Sequence, residues 1–399
     1  MKMNRREWVR RQADPRFAVF ETVSYSRSTG GDMIRFRWGE EADDIFGSLS
    51  LAYSTDHGRT WEEGAEWPAG EKRPEGVHRE YWMPPVTVGG RLLLLGASGV
   101  FRNDHALDGM TQYVPRYRVS DDGGRTWAVD EPVIQAGPGL DAAHPFPDVW
   151  VGRNSVMPAN VPIVLKDGRV LVPCNVTVLD PEGRYFCPPG AYTYTAAGVL
   201  EGRWQADGRL AWKLAEPVRI KPEQSLRGAI EPTLAEMPDG RILMVLRANA
   251  GSVDPNSGFK WFSLSGDHGR TWSRPWPWTF SDGTPFFSPS SISLLTRHSS
   301  GDWFWIGNIC PDSPSGNSPR YPLVIGRVDP LTLRLEMESL DVIDTRQEGD
   351  TERLQLSNFA LYEDRQTGDM VLRLTRRDGG ESGGAEPIQA SVMAYTFDL

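Results

Sequence analysis

Cysteine is scarce in this chain. Cys174, Cys187 and Cys310 are the whole complement in 399 residues, an odd number with no C-x-x-C spacing. That argues against a disulfide framework, and buried free thiols are expected instead. The six histidines show no H-E-x-x-H or clustered ligand spacing, so no metal centre is expected. No G-x-G-x-x-G or other phosphate-cradling loop occurs, which removes the usual signature of a nucleotide cofactor; none is expected. Long apolar runs are also missing. No stretch approaches the length needed to span a bilayer, and Lys2, Arg5, Arg6, Arg10 and Arg11 are not followed by the apolar segment of a signal peptide. As it stands the chain is expected to be cytoplasmic, or secreted if a leader precedes it. Basic charge is in deficit: 43 Lys and Arg stand against 53 Asp and Glu, a net charge of -10. Nucleic acid and anionic membrane surfaces are therefore not expected as partners, since both select a basic face.

Turn formers and indoles are what the chain has in excess: Gly 41, Pro 31 and Trp 15. That mixture favours many short strands joined by tight turns. Internal periodicity then decides the architecture. The segment Ser54-Thr-Asp-His-Gly-Arg-Thr-Trp61 recurs as Ser120-Asp-Asp-Gly-Gly-Arg-Thr-Trp127 and as Ser265-Gly-Asp-His-Gly-Arg-Thr-Trp272, at intervals of 66 and 145 residues. The shared pattern S-x-D-x-G-x-T-W suits a turn, because its carboxylate and hydroxyls can bind neighbouring backbone N–H groups while Gly permits the bend. A second repeat, a glycine turn running into an apolar strand, occurs at Gly31, Gly90, Gly168, Gly240, Gly301 and Gly368. Six copies at 59 to 78 residues match one four-stranded blade each. The expected fold is all-β, a single six-bladed β-propeller over 1–399, with residues 1–16 as an N-terminal extension and Ala390 to Phe397 ending the last blade. The box is expected at the next hairpin outward from the glycine turn. Degenerate versions follow at Asp329 and Asp207.

A propeller's default ligand site is the funnel formed at one end by loops entering and leaving the inner strands. Around Gly240, Glu231 begins one strand and Arg247 ends its hairpin partner, so the two should meet at one end. A Glu and an Arg paired at a pocket mouth can orient and polarise each other; a plain inter-strand ion pair is the other reading. Two loops add candidates: Asn103-Asp104-His105, and the run containing His144, Asp148, Trp150, Arg153 and Asn154. The second resembles a sugar subsite, with an indole for a pyranose face and polar groups for hydroxyls.

These features together resemble the sialidase-like superfamily. Sialidases share the six-bladed fold and the Asp boxes, and they place a Glu and an Arg about a hairpin that reads much like 231–247. The resemblance implies a second arginine one blade later, which Arg320 matches, and an acid/base aspartate on a loop before the first box, where Asp43 and Asp44 stand. It also implies an arginine on the first inner strand and a tyrosine nucleophile at the start of the last. Only Arg16 lies near the first position, and Leu354-Gln-Leu-Ser-Asn-Phe359 holds no tyrosine. Asn358, Ser357 and Tyr321 are the groups that could substitute. The expectation is a carbohydrate-active enzyme, an exo-acting glycoside hydrolase on a carboxylate-bearing glycan, with Arg247 and Arg320 as anion grips and Glu231 as base or orienting group. The alternatives are a uronate lyase using His144, and a non-catalytic carbohydrate- or protein-binding propeller. The oligomeric state stays open.

Overall fold

In the computed structural model, which describes residues 2–11, 17–42, 44–249, 258–380, 384 and 386–398, six antiparallel sheets are arranged as the blades of a propeller. Blade 1 shows the plan: Val19–Tyr25 is innermost, followed outward by Met33–Ala42, Ile45–Ser54 and Glu62–Pro68. Blade 4 repeats it with Ile230–Glu236, Ile242–Arg247, Trp261–Ser265 and Trp276–Pro277. In blades 2 and 3 the innermost position is split. Gly76–Trp82 and Val86–Val88 share the partner Arg91–Phe101, while Val156–Pro158 and Ile163–Val164 share Val170–Thr177.

The glycine turns lie between the first and second strands. Gly90, Gly168, Gly240, Gly301 and Gly368 sit at φ of 83°, 83°, 86°, 101° and 80°, a region that costs a side chain and suits glycine. In blade 1 that conformation falls to Gly30, one residue before the Gly31 singled out in the repeat. The Asp boxes join the third and fourth strands. They are thus two connections beyond the glycine turn, at the same end of the blade, because strand direction alternates and the intervening turn lies opposite. In the first box Asp56 Oδ1 accepts from Ser54 Oγ at 2.7 Å and Thr60 N at 2.9 Å, and Oδ2 accepts from Thr60 Oγ1 at 2.6 Å.

The N-terminal residues are more than an extension. Lys2–Arg11 forms a strand antiparallel to Ile388–Asp398, which is in turn paired with Met370–Gly379. The last strand of the chain is therefore third in blade 6, and the first strand completes the blade from outside.

Apolar side chains fill the gaps between successive blades, as two-faced sheets in a ring require. Phe36, Leu49, Leu92 and Leu94 lie between blades 1 and 2, Leu93, Val172 and Trp212 between 2 and 3, and Val245, Trp278, Trp305 and Val324 between 4 and 5. The junction of blades 6 and 1 is different. Its apolar groups form two small clusters, Ala18, Ile388 and Ala390 with Phe20, and Val23, Tyr25 and Met33 with Tyr362 of blade 6, and buried charge joins them. Glu21 lies 2.8 Å from Arg37, 3.9 Å from Arg35 and 4.0 Å from Arg373 of blade 6, while Glu40 lies 3.5 Å from Arg377. The three cysteines are free thiols, Cys174 and Cys310 buried and Cys187 half-buried.

Candidate functional site

The end of the propeller opposite the Asp boxes is where each innermost strand begins and where each second strand turns into the third. In blade 4 this places Glu231 at the start of Ile230–Glu236 and Arg247 at the end of Ile242–Arg247. The register passes from Ile230↔Arg247 to Thr233↔Val245, so one extra residue is accommodated on the inner strand. That bulge puts Glu231 at φ 42°, a conformation glutamate rarely adopts. Such strain persists only where surroundings hold it, and Asn175 of blade 3 does so, its Oδ1 accepting from Glu231 N at 2.7 Å.

Arg247 Nη1 donates to both oxygens of Glu231, at 2.8 and 2.7 Å. Its Nε donates to Ser290 Oγ at 3.0 Å and its Nη2 to Asn317 Oδ1 at 3.3 Å. Arg320, from the same blade 5 loop as Asn317, donates through Nη1 to Gln355 Oε1 at 2.8 Å and Ser357 Oγ at 3.3 Å, and approaches Ser290 O at 3.5 Å. Ser290 thus stands between the two arginines, and Gln355 carries the chain of contacts into blade 6. Glu231 is packed round by protein yet keeps 24% of its side chain exposed, the combination expected at the floor of a concave recess. Burial raises its pKa, but Arg247 first, with Arg227 and Arg320, more than reverses this, so the carboxyl is held below its ordinary value.

Two groups that sequence reasoning left without a role belong to this recess, and a third lies within electrostatic reach of Asp44. Arg227 lies within electrostatic reach of Arg247, Glu231 and Asp44; burial first, then Arg247, bring its pKa down to about 10. Lys260 is fully buried, its Nζ held by the carbonyls of Pro289 at 3.3 Å and Ser291, on either side of Ser290. Burial and the Arg247 charge pull its pKa down to about 7. Tyr113 of blade 2 is the third. Burial raises its pKa, Arg79 opposes that, and Asp44 adds to it. Only Arg227 carried a signal, as a basic residue four positions before Glu231; Lys260 and Tyr113 come from other segments with nothing local to mark them.

Of the residues singled out in the sequence, Glu231, Arg247 and Arg320 are brought together, and Asp44 lies near enough to act on Arg227 and Tyr113. Asp44 is exposed, at φ 59°, with its N–H 3.3 Å from Glu40 Oε1. Asp43 and Arg16 lie outside the described residues. Asn358 occupies a bulge in blade 6 that matches that of Glu231, between Leu356↔Arg376 and Phe359↔Leu374, and is exposed at φ 59°. Tyr321 packs its ring on the apolar core between blades 5 and 6.

The His144 loop enters blade 3 at the same end but forms a capsule of its own. The His144 ring stacks on Trp150 at 4.7 Å and 11°, so that this face of the indole is covered, and the Arg153 guanidinium lies 6.0 Å from the indole. His144 Nδ1 is 3.2 Å from Gly139 O, while Nε2 is buried with no hydrogen-bond partner among the described residues. A catalytic imidazole needs a nitrogen open to substrate, and this one offers neither. Asp148, exposed at φ 61°, gives its carbonyl to Asn154 Nδ2 at 2.9 Å, which makes it part of the loop's own turn. Asp104 is committed to Arg79, at 2.8 and 2.9 Å, and Asn103 and His105 cap the neighbouring turn.

The family described as BNR repeat-like domain matches residues 39–341. No curated protein matches the chain. Among solved structures, a protein of unknown function from Dyadobacter fermentans DSM 18053 is 15% identical, with 98% of each chain covered and a TM-score of 0.61. The intramolecular trans-sialidase from Ruminococcus gnavus, in complex with oseltamivir carboxylate, is 13% identical over 98% of this chain and 96% of that one, with a TM-score of 0.59. An α-L-arabinofuranosidase from Fusarium graminearum, in complex with an iminosugar inhibitor, is 14% identical over 95% and 93%, with a TM-score of 0.50. At these identities the likeness is one of fold.

Proposed function

The chain belongs to the family of BNR repeat-like domains, in the sialidase-like superfamily, and on that premise we propose that it is an exo-acting glycoside hydrolase whose substrate bears a carboxylate. The observation that carries this reading is the convergence of Glu231 with Arg227, Arg247 and Arg320 in one recess. Three guanidiniums about the half-buried Glu231, with Asp44 the other carboxylate within reach, leave the recess electropositive inside a molecule of net charge -10. An acidic sugar is the ligand class such a field selects.

In this reading Glu231, kept ionised and immobile by Arg247, faces the anomeric carbon. Its charge stabilises the oxocarbenium-like transition state, and one oxygen accepts a proton from the attacking water. Asp44, on its exposed loop, protonates the leaving oxygen. No tyrosine begins the inner strand of blade 6, where Gln355–Glu363 presents Ser357 and Asn358, so water attack in one displacement replaces a covalent step on tyrosine. The lyase alternative would need the His144 ring, stacked on Trp150, to turn out towards substrate.

The test is turnover of a panel of aryl glycosides that includes sialosides and glucuronides, with Glu231→Gln and Asp44→Asn beside the wild type. Each variant is expected to lower kcat/KM by about 10²-fold or more; the Tm should be unchanged in Asp44→Asn and fall by about a few degrees in Glu231→Gln, where Arg247 loses its counter-charge. Full activity in both would place the chemistry elsewhere. Binding of acidic sugars without turnover would make the protein a carbohydrate-binding propeller.

A further inference from the structure

The three arginines of the recess differ in how much of their hydrogen-bonding capacity the protein already uses. Arg247 has Ser290 on Nε, Glu231 on Nη1 and Asn317 on Nη2, and its charge is matched at 2.7 Å. Arg320 is oriented by Gln355 and Ser357 through Nη1. Arg227 is held by one neutral hydroxyl. Thr193 Oγ1 accepts from its Nε at 3.0 Å and its Nη2 at 2.6 Å, and among the described residues Nη1 has no acceptor and the guanidinium no carboxylate.

A half-buried guanidinium normally has an anion, because removing the charge from water is costly unless it is paired. Arg227 has given up much of its water without gaining one in contact; Arg247, Glu231 and Asp44 act on it only from further off, and the cation Arg247 opposes its charge. Beside it lies Tyr192, 52% exposed, with its ring centre 5.8 Å from the guanidinium carbon. Both come from segments that open at this end of the propeller: Tyr192 from the connection between Val170–Thr177 and Thr195–Trp204, Arg227 from the approach to Ile230–Glu236. A cation lacking its anion beside an exposed aromatic face presents what a carboxylated pyranose needs, one contact for the charge and one for the ring.

We propose that Arg227, rather than Arg247 or Arg320, receives the anionic group of the ligand, with Tyr192 against the adjoining sugar ring. This rests on the carbohydrate reading given above. Arg247 is then reserved for Glu231, and Arg320 for the Gln355 side of the recess. Arg247 is set apart by its carboxylate, Arg320 by the neutral acceptors Gln355, Ser357 and the Ser290 carbonyl, and Arg227 by the exposed Tyr192 ring beside it.

The experiment compares wild type with Arg227→Met, Arg227→Lys and Arg320→Met by calorimetric titration and by thermal denaturation. The probes are N-acetylneuraminic, glucuronic and galacturonic acids, each beside its neutral methyl ester, and acetate against chloride at equal ionic strength. Arg227→Met is expected to weaken binding of the acid by about tenfold or more while the ester binds as before, and Arg227→Lys to recover part of the loss. Without ligand, Arg227→Met is expected to raise the Tm by about 2 °C, because an unmatched half-buried charge is removed. Acid binding within twofold of wild type in Arg227→Met, or selective loss in Arg320→Met instead, overturns the assignment. A lowered Tm in Arg227→Met overturns it too, by showing a structural role. If no sugar binds wild type as acid or ester, the carbohydrate reading falls by itself. Acetate then decides: stabilisation present in wild type and lost in Arg227→Met upholds Arg227 as an anion site, and equal stabilisation in both sinks it.

Discussion

Glu231 combines a backbone conformation unusual for its residue type, a bidentate arginine and partial exposure in a recess. Burial alone would raise its pKa; Arg247 is what keeps the carboxyl ionised. A carboxyl with a lowered folded pKa is charged above that value and loses its charge as the pH falls through it. The acid limb of the pH–rate profile should therefore lie below the ordinary carboxylate range in wild type. In Arg247→Met, where burial acts unopposed by its main counter-charge, that limb should move up by about one pH unit or more. An unmoved limb would show that another group governs it. Glu231 and Arg247 were legible in the sequence because a hairpin with its turn midway must return its two ends to one place. Lys260 and Ser290 were not, because each meets the pair from a separate segment of the chain, and no spacing along the sequence encodes that approach; Arg227 stood four residues before Glu231 with nothing local to give it a role.

The Asp box is the element most completely written in its own residues. In the second copy Asp122 Oδ1 accepts from Ser120 Oγ at 2.7 Å and Thr126 N at 2.8 Å, Oδ2 accepts from Thr126 Oγ1 at 2.6 Å, and Ser120 Oγ accepts from Gly124 N at 2.7 Å. All partners fall within seven residues, so the motif is legible as a turn from its residues alone. Desolvation works against the charge, and the Thr126 and Ser120 bonds overcome it, holding the carboxyl at about 2. Asp122→Ala removes three hydrogen bonds of about 1 kcal/mol each, and with the discount for an exposed turn the loss should be about 1–2 kcal/mol. Since the folded pKa lies below the unfolded value of about 3.9, this contribution is full above about pH 4 and disappears as the pH falls through about 2. Denaturation of wild type and Asp122→Ala at several pH values should show two curves converging at the acid end. A constant gap would mean that the carboxylate charge is not what stabilises the turn. The His144 loop shows the limit of such reading: its composition suggested a sugar platform, but His144 covers one face of Trp150.

At the scale of the molecule, the ring is closed by its first strand and by charge. Lys2–Arg11 covers the edge of Ile388–Asp398, and the junction it completes adds Glu21 and Glu40 with their arginines to two small apolar clusters, where other junctions have larger apolar cores. An uncovered strand edge pairs with other molecules, and a ring held by contacts between neighbouring blades loses cooperativity when one junction opens. Deleting residues 1–16 should lower the Tm by roughly 10 °C and produce oligomers on gel filtration. A monomer with the wild-type Tm would show that three strands suffice for blade 6.

The amino-acid sequence by itself determined the blade count, the turns and the Glu231 to Arg247 hairpin, because each depends on residues a few positions apart or on one symmetric reversal of the chain. Tertiary structure alone decided which strand closes the ring, how His144 packs in its loop, and that Arg227 stands beside an exposed tyrosine ring with no carboxylate on it among the described residues. Those are outcomes of packing between blades, where side chains from distant parts of the chain compete for the same donors, acceptors and space.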